Sequence, residues 1–168
     1  YYAPGLARWL TRDPLGMVDG PNVYGYVRGK PVKQKDTLGL VTTSGCCGEE
    51  GVSVIDKVER ACDNLENHIT DESLLKCLQE RCRNSVIVCH DKCKSQSSEI
   101  LGFNHYFLFW RSKKAHLCMG NIEKHGCKHL YGEIVIHEWA HSCGWNHNEG
   151  KGVPGDSGGF DCGSPSTL

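Results

Sequence analysis

The chain has no apolar run of the roughly 18 residues that a membrane-spanning helix requires, so stable membrane insertion is not expected. It also lacks an excess of charge of either sign. Its 19 basic side chains oppose 20 acidic ones, and a net charge of -1 creates no field to attract nucleic acid or anionic lipid. Nucleic acid is therefore not an expected partner. The first residues do not follow the basic, apolar, small-residue order of a secretory signal, so export is expected to depend on another device. Methionine is scarce: Met17 and Met119 are the only two. Cysteine is absent from residues 1–45 and abundant afterwards, with 11 in total, which divides the chain into two differently built segments.

What is present describes a globular protein. A length of 168 residues with 39% hydrophobic and 23% charged side chains allows one domain of ordinary size plus an appendage. A domain this rich in thiols either forms disulfides in an oxidising compartment or binds structural metal. Cys77, Cys82, Cys89 and Cys93 are separated by four, six and three residues, which is not the paired two-residue spacing of zinc ribbons but decides little by itself; the oxidising-compartment rule favours disulfides. The odd total leaves at least one thiol unpaired in a monomer, and the connectivity is open.

Residues 1–40 are dense in Gly, Pro and Tyr without a helical apolar period, which predicts short strands and turns. A piece of that size without disulfides or metal seldom buries enough surface to fold alone, so it reads as the tail of a larger upstream β structure. Residues 41–168 are expected to form the second domain, after a loop around Cys46-Cys47-Gly48. Apolar spacing predicts helices over about 54–67 and 71–83, the second capped by Thr70, with cysteines on their buried faces. Ser95–Ser98 is a polar break. Asn104–Arg111 is expected to be a strand paired with Ala115–Met119, giving an α+β domain with a short antiparallel sheet ahead of a further helix. The Gly-, Pro- and Ser-rich tail from Asn148 to Leu168 is expected to be a loop that packs through Phe160 and Cys162 and lines a cleft.

That further helix carries the chemistry. Leu130 to Cys143 is apolar enough to be buried, and Gly144 stops it. A four-residue step turns a helix by about 400°, so His137 and His141 stand one above the other, able to reach one ion. Glu138 is turned about 100° from His137, out of the ligand line but near water activated at the ion, as a base should be. Beyond Gly144 the chain can return His147 as a third ligand and leave the fourth position open, which is the arrangement of a catalytic zinc site. His68, His90, His105, His116, His125 and His129 have no ligand spacing and are read as surface or hydrogen-bonded histidines. Glu149, Asp156 and Asp161 follow the third histidine as minor candidates for replacing His147 or orienting a ligand. A disulfide from Cys143 is expected to fix the turn at Gly144.

Two resemblances follow from these residues. The stretch Tyr1 to Gly16, with Asn22 to Val27 and Pro31-Val32, is similar to the end of the Rhs-repeat core domain over about a quarter of the chain. In that family a β-strand cocoon encloses a variable C-terminal toxin. The resemblance implies an upstream Rhs cocoon, secretion into a target cell and a cognate immunity protein as partner. It also implies a self-cleavage junction with Asp13 and Asp36 as a proton-sharing acid–base pair and the cut after Leu40. The unit Asp13-Pro14-Leu15-Gly16 keeps the family pattern, whereas Asp36-Thr37-Leu38-Gly39 has Thr37 in place of Pro. The run from His137 to His147 resembles the long metzincin zinc signature with every fixed position filled, which implies a zincin-like metallopeptidase that uses Zn2+ to cut target-cell proteins. It departs from the metzincins in having no methionine downstream of His147 for their Met-containing turn. Two other outcomes stay open: a non-catalytic binding module held by the same zinc, and a zinc hydrolase of a non-peptide amide such as cell-wall material.

Overall fold

Residues 2–3, 8–9, 42–45, 47, 50–93, 100–107 and 110–168 are described in a computed structural model. The chain falls into two compact units, Tyr1–Gly39 and Leu40–Leu168. In the first, β1 (Tyr2–Ala3) pairs antiparallel with β2 (Arg8–Trp9). The predicted break at Ser95–Ser98 lies outside the described residues.

The second unit is a small mixed α+β domain. It opens with β3 (Thr42–Gly45), then α1 (Glu50–Asp63), the single turn α2 (Leu65–His68) and α3 (Glu72–Asn84), and returns to β4 (Val86–His90). Next come β5 (Gly102–Phe103), the hairpin of β6 (Tyr106–Phe107) and β7 (Trp110–Arg111), and β8 (Ala115–Cys118). The chain then forms α4 (Met119–Lys124), a 3-10 turn over Cys127–Leu130, and α5 (Tyr131–Ser142).

The sheet corrects the expected antiparallel one. Its order is β3-β4-β8-β5, with β3, β4 and β8 parallel and β5 alone antiparallel, pairing Gly102 with Leu117. The reason is the connection: α1 to α3 span the sheet between β3 and β4, and a helical crossover delivers the next strand parallel. The strand over Ala115–Cys118 pairs with β4 and β5 and not with the expected Asn104–Arg111, within which β6 and β7 pair with each other. The cap of α3 is Asp71, not Thr70, because Asp71 Oδ1 accepts a 2.7 Å hydrogen bond from the Leu74 amide.

α5 is the centre of the core. Every residue from Tyr131 to Ala140 is buried, and the helix packs against α1, α3, β5 and β8. Gly132 makes the α1 contact possible, since a Cβ there would lie 2.5 Å from the Lys57 carbonyl oxygen. At the start of α5, the Tyr131 hydroxyl and Lys128 Nζ both donate to Glu50 of α1, at 2.8 and 2.6 Å. Glu133, buried, accepts from Ser166 and Thr167, which ties the end of the chain to the same helix.

All ten described cysteines are paired: Cys47–Cys89, Cys62–Cys82, Cys77–Cys143, Cys93–Cys118 and Cys127–Cys162. Cross-links that close loops of 20 to 66 residues each stabilise by roughly 3–4 kcal/mol on the chain-entropy account. Removing Cys77–Cys143 by a double Cys→Ser change should therefore lower the melting temperature by about 10 °C, read by calorimetry. A shift of only a degree or two would mean that the bridge does not constrain the unfolded chain.

Candidate metal centre

The last turns of α5 bring His137 and His141 together, and the chain reversal behind them brings His147. The ring centres stand 4.8 Å apart for His137–His141 and 4.9 Å apart for the other two pairs. One ligating nitrogen from each lies within 4.8 Å of the others. Tetrahedral zinc with bonds of about 2.1 Å sets imidazole nitrogens roughly 3.4 Å apart, so holding an ion would require the cluster to close slightly, and His147 is its exposed member.

The donor chemistry fits a borderline metal such as zinc. His137 Nδ1 lies 2.6 Å from the Pro154 carbonyl oxygen, and His141 Nδ1 lies 3.2 Å from that of Trp145. Carbonyls only accept, so each Nδ1 carries the hydrogen and each Nε2 presents its lone pair to the cluster. Burial is the main cause that pushes the His137 pKa down to about 4, with a smaller contribution from its two histidine neighbours. It is the neutral form that a metal needs.

Four structures hold the reversal after α5. Gly144 has φ 94°, in the left-handed region that favours glycine, and ends the helix. The Trp145 amide returns to the Ala140 carbonyl at 3.1 Å. Cys143 is bridged to Cys77 of α3, as the sequence suggested for this turn. One helical turn further along α3, the buried Arg81 donates from Nε to Ser142 Oγ at 2.9 Å, and that hydroxyl donates to the Trp139 carbonyl at 2.6 Å.

Trp145 is the residue that sequence reasoning missed. Its ring centre lies 5.1, 4.9 and 5.2 Å from those of His137, His141 and His147, and it is 1% exposed. It is the floor on which the three imidazoles stand, and no methionine follows His147 in the chain. Its position inside the histidine motif, as the aromatic just after Gly144, was the available signal.

Glu138 faces the same cleft from the adjoining side of α5, beside β5. Gly102 permits that approach: a Cβ there would stand 2.9 Å from Ile134 Cγ2 and 3.1 Å from Glu138 Oε1. Burial alone pushes the Glu138 pKa up to about 8. A cation among the imidazoles would reverse that balance toward the carboxylate. The cleft has a volume of about 710 Å³ and is lined by all three histidines, Glu138, Phe103 and Phe160, among others. The tail of the chain does line it, and Phe160 and Cys162 pack on the core.

The other candidates are elsewhere. Asp13 and Asp36, with Thr37 and Leu40, lie outside the described residues. Glu149 receives the Asn146 backbone amide at 3.1 Å and pairs with Lys151 at 2.9 Å, so it shapes the turn that carries His147. Asp156 accepts from the Gly150 amide and Asp161 from the Gly163 amide, and neither joins the histidine cluster. His90 and His116 hydrogen-bond one another at 2.9 Å, and His129 meets the Ser164 carbonyl at 2.8 Å. His125 lines the cleft.

Over 40 residues the chain is 48% identical to Toxin subunit YenC2 and 45% identical to Toxin subunit YenC1, both of Yersinia entomophaga. Over 41 residues it is 42% identical to Toxin protein Tse5 of Pseudomonas aeruginosa. Each comparison covers 24% of this chain but only 3–4% of the relative's length. The matched share is of the same size as the stretch that carries the Rhs-like motifs, and it supports an Rhs-type toxin region in this chain. No family model and no solved structure matches the chain. No helix among the described residues is long and apolar enough to cross a membrane.

Trp145→Ala should leave a large hole under the three rings, costing about 3–5 kcal/mol of stability. It should also weaken zinc binding at least tenfold in a chelator competition. Unchanged zinc affinity in a destabilised variant would remove Trp145 from its role as the floor.

Proposed function

We propose that residues 41–168 are a zinc-dependent peptidase of zincin-like fold, carried as the toxin domain of a secreted Rhs-type protein and directed at proteins of a target cell. The observation that carries this reading is the convergence of three imidazoles, two of them pinned through Nδ1, on a cleft that also receives one buried carboxyl group.

His137, His141 and His147 would hold the ion through one ring nitrogen each. When bound, zinc supplies Lewis acidity to a carbonyl oxygen and to water. Glu138 does the proton work. Its carboxylate takes the proton that water gives up as it attacks the carbonyl carbon, then hands that proton to the departing amine nitrogen. Its surroundings suit both halves of the task, because a carboxyl whose charge is stabilised only by a nearby cation binds and releases a proton readily. A structural zinc site closes its fourth position with a protein ligand and has no use for such a group, whereas the histidine cluster has three members among the described residues and opens on a cleft.

The relatives' printed names support the toxin assignment, and the Rhs-like motifs support an upstream cocoon, a cognate immunity protein and release by a cut after Leu40 made by Asp13 and Asp36. The break between compact units falls beside that bond. Five disulfides support action in an oxidising compartment reached after secretion.

Incubation of oxidatively folded, zinc-supplied residues 41–168 with target-cell proteins under non-reducing conditions, with sequencing of newly formed protein termini, tests the reaction. Glu138→Ala should retain one zinc per chain and lose cleavage by at least about a hundredfold, while His141→Ala should lose both. Chelation should silence the wild type and zinc should restore it. A Glu138→Ala chain that remains as active as the wild type would end the peptidase reading.

A further inference from the structure

β5 is the shortest strand of its sheet. It lies at the edge, consists of Gly102 and Phe103, and pairs with β8 alone. Yet Ile100 to Asn104 form one wall of the cleft, and Gly102 packs against Glu138. The place of that wall depends on what holds β5.

Three histidines outside the candidate metal centre contribute to that hold. Paired residues of neighbouring strands share a face of the sheet, and successive residues alternate between faces. Gly102, Leu117 and Cys89 therefore face α5, and Phe103, His116, Val88 and His90 face the opposite side. There the Phe103 ring stacks on His116 with centres 4.7 Å apart and on His90 at 5.5 Å, and it meets His105 edge-on at 5.1 Å. His105 in turn meets the buried His116 edge-on at 4.6 Å.

Such a cluster holds together only while it is nearly uncharged. His90 Nε2 and His116 Nδ1 lie 2.9 Å apart, a hydrogen bond in which one ring nitrogen donates and the other accepts. Two charged rings leave no acceptor between them, so the contact tolerates one proton and not two. The groups of described residues that act on His116 are His105, His90 and Lys114, all positive when charged, and with burial as the larger cause they push its pKa down to about 4. The other described charges around the cluster face solvent or have contacts of their own. Asp91 and Lys92 are exposed beyond the end of β4, Lys113 pairs with Glu80 at 3.6 Å, Glu123 of α4 pairs with Lys128 at 3.1 Å beside the exposed Lys124, and Glu138 meets Gly102 from α5.

We propose that His90, His105 and His116 form an acid-sensitive clamp on β5, which holds Phe103 and the cleft wall beside Glu138 while the rings are neutral and releases them when the rings become charged. Freed from the cluster, the His116 ring takes up a proton near the ordinary 6.5, whereas in place it stays neutral down to about pH 4. Between those values the released form binds more protons. The hold on β5 is therefore complete above about pH 6.5 and is lost as the pH falls toward 4, by up to about tenfold per pH unit for one proton. None of the three histidines belongs to the cluster of His137, His141 and His147, so the clamp stands independently of the peptidase reading. The cleft wall it controls is in place in a neutral compartment and loose in an acidic one.

The test is amide hydrogen exchange by NMR on the full 168-residue chain at about pH 7.5 and about pH 5, corrected for the intrinsic effect of pH on exchange. The amides of Leu101 to Asn104, and that of Cys118, which donates to the Leu101 carbonyl at 2.9 Å, should lose at least about tenfold more protection on acidification than the amides of α3. His116→Leu keeps an apolar side chain under Phe103 and removes the titrating ring, so its β5 amides should change by no more than about threefold relative to α3. The ring signals of the wild type give a second measurement that needs no variant: His116 should stay neutral at every pH at which β5 remains protected. Equal loss in β5 and α3, a folded His116→Leu chain that loses β5 as the wild type does, or a His116 ring that charges near pH 6.5 under a protected β5 each overturns the clamp.

Discussion

A helix can offer two histidines to one ion, but its third must come from elsewhere, because a 3.6-residue repeat has only one more position on the same face within reach. Here the third comes from the six residues after His141, so the chain has to reverse at once and stay reversed. The reversal is tied from both sides. The Cys77–Cys143 bridge and the Arg81–Ser142 hydrogen bond fix the end of α5 to α3. Trp145, buried, gives its amide to Ala140, its carbonyl to His141 and its ring to all three imidazoles. One residue thus shapes the turn, orients one histidine of the cluster and packs against the others.

The same demand explains why α5 is apolar all round. A helix in that position is enclosed by α1, α3 and the sheet, and its polar residues have to be satisfied individually or left in the cleft. Glu133 is satisfied by the tail, while His137 is met by the Pro154 carbonyl. Glu138 is left in the cleft, where burial pushes its pKa up to about 8 and Gly102 of β5 packs against its side chain.

The histidine cluster was legible in the sequence because its geometry is local: a four-residue step, a glycine stop and a short return are all read along one stretch of chain. The sheet was not, because its pairings are remote. Val86–His90 is a β-branched strand directly after a helix, and its partners lie at Thr42–Gly45 and Ala115–Cys118, a register that no local period encodes. The α+β class and the presence of two helices followed from apolar spacing, although the expected helix over 54–67 runs Glu50–Asp63 with a separate turn at Leu65–His68, and Asp71 displaced Thr70 as cap of Glu72–Asn84 since only its carboxylate reaches the Leu74 amide. Disulfides could be expected from the number of cysteines, but their partners needed the fold. Trp145 was visible as a residue and invisible as a floor, because its contacts exist only once the chain has turned.

The distribution of the cross-links has a chemical meaning beyond stability. Cys62–Cys82 joins two helices that already share a core, so its loss would leave most packing intact. Two others hold parts of the site that no regular element holds. From Cys143 to Leu168 the chain has neither helix nor strand, and its links to the body include the bridges at Cys143 and Cys162. That segment supplies His147, Trp145, the Pro154 carbonyl and Phe160. Reduction would therefore release the third ligand and one cleft wall while α5, with His137, Glu138 and His141, could remain buried against α1 and the sheet. The cost of a reducing environment falls on the site before it falls on the core, so the chemistry argued for this cleft belongs where disulfides persist.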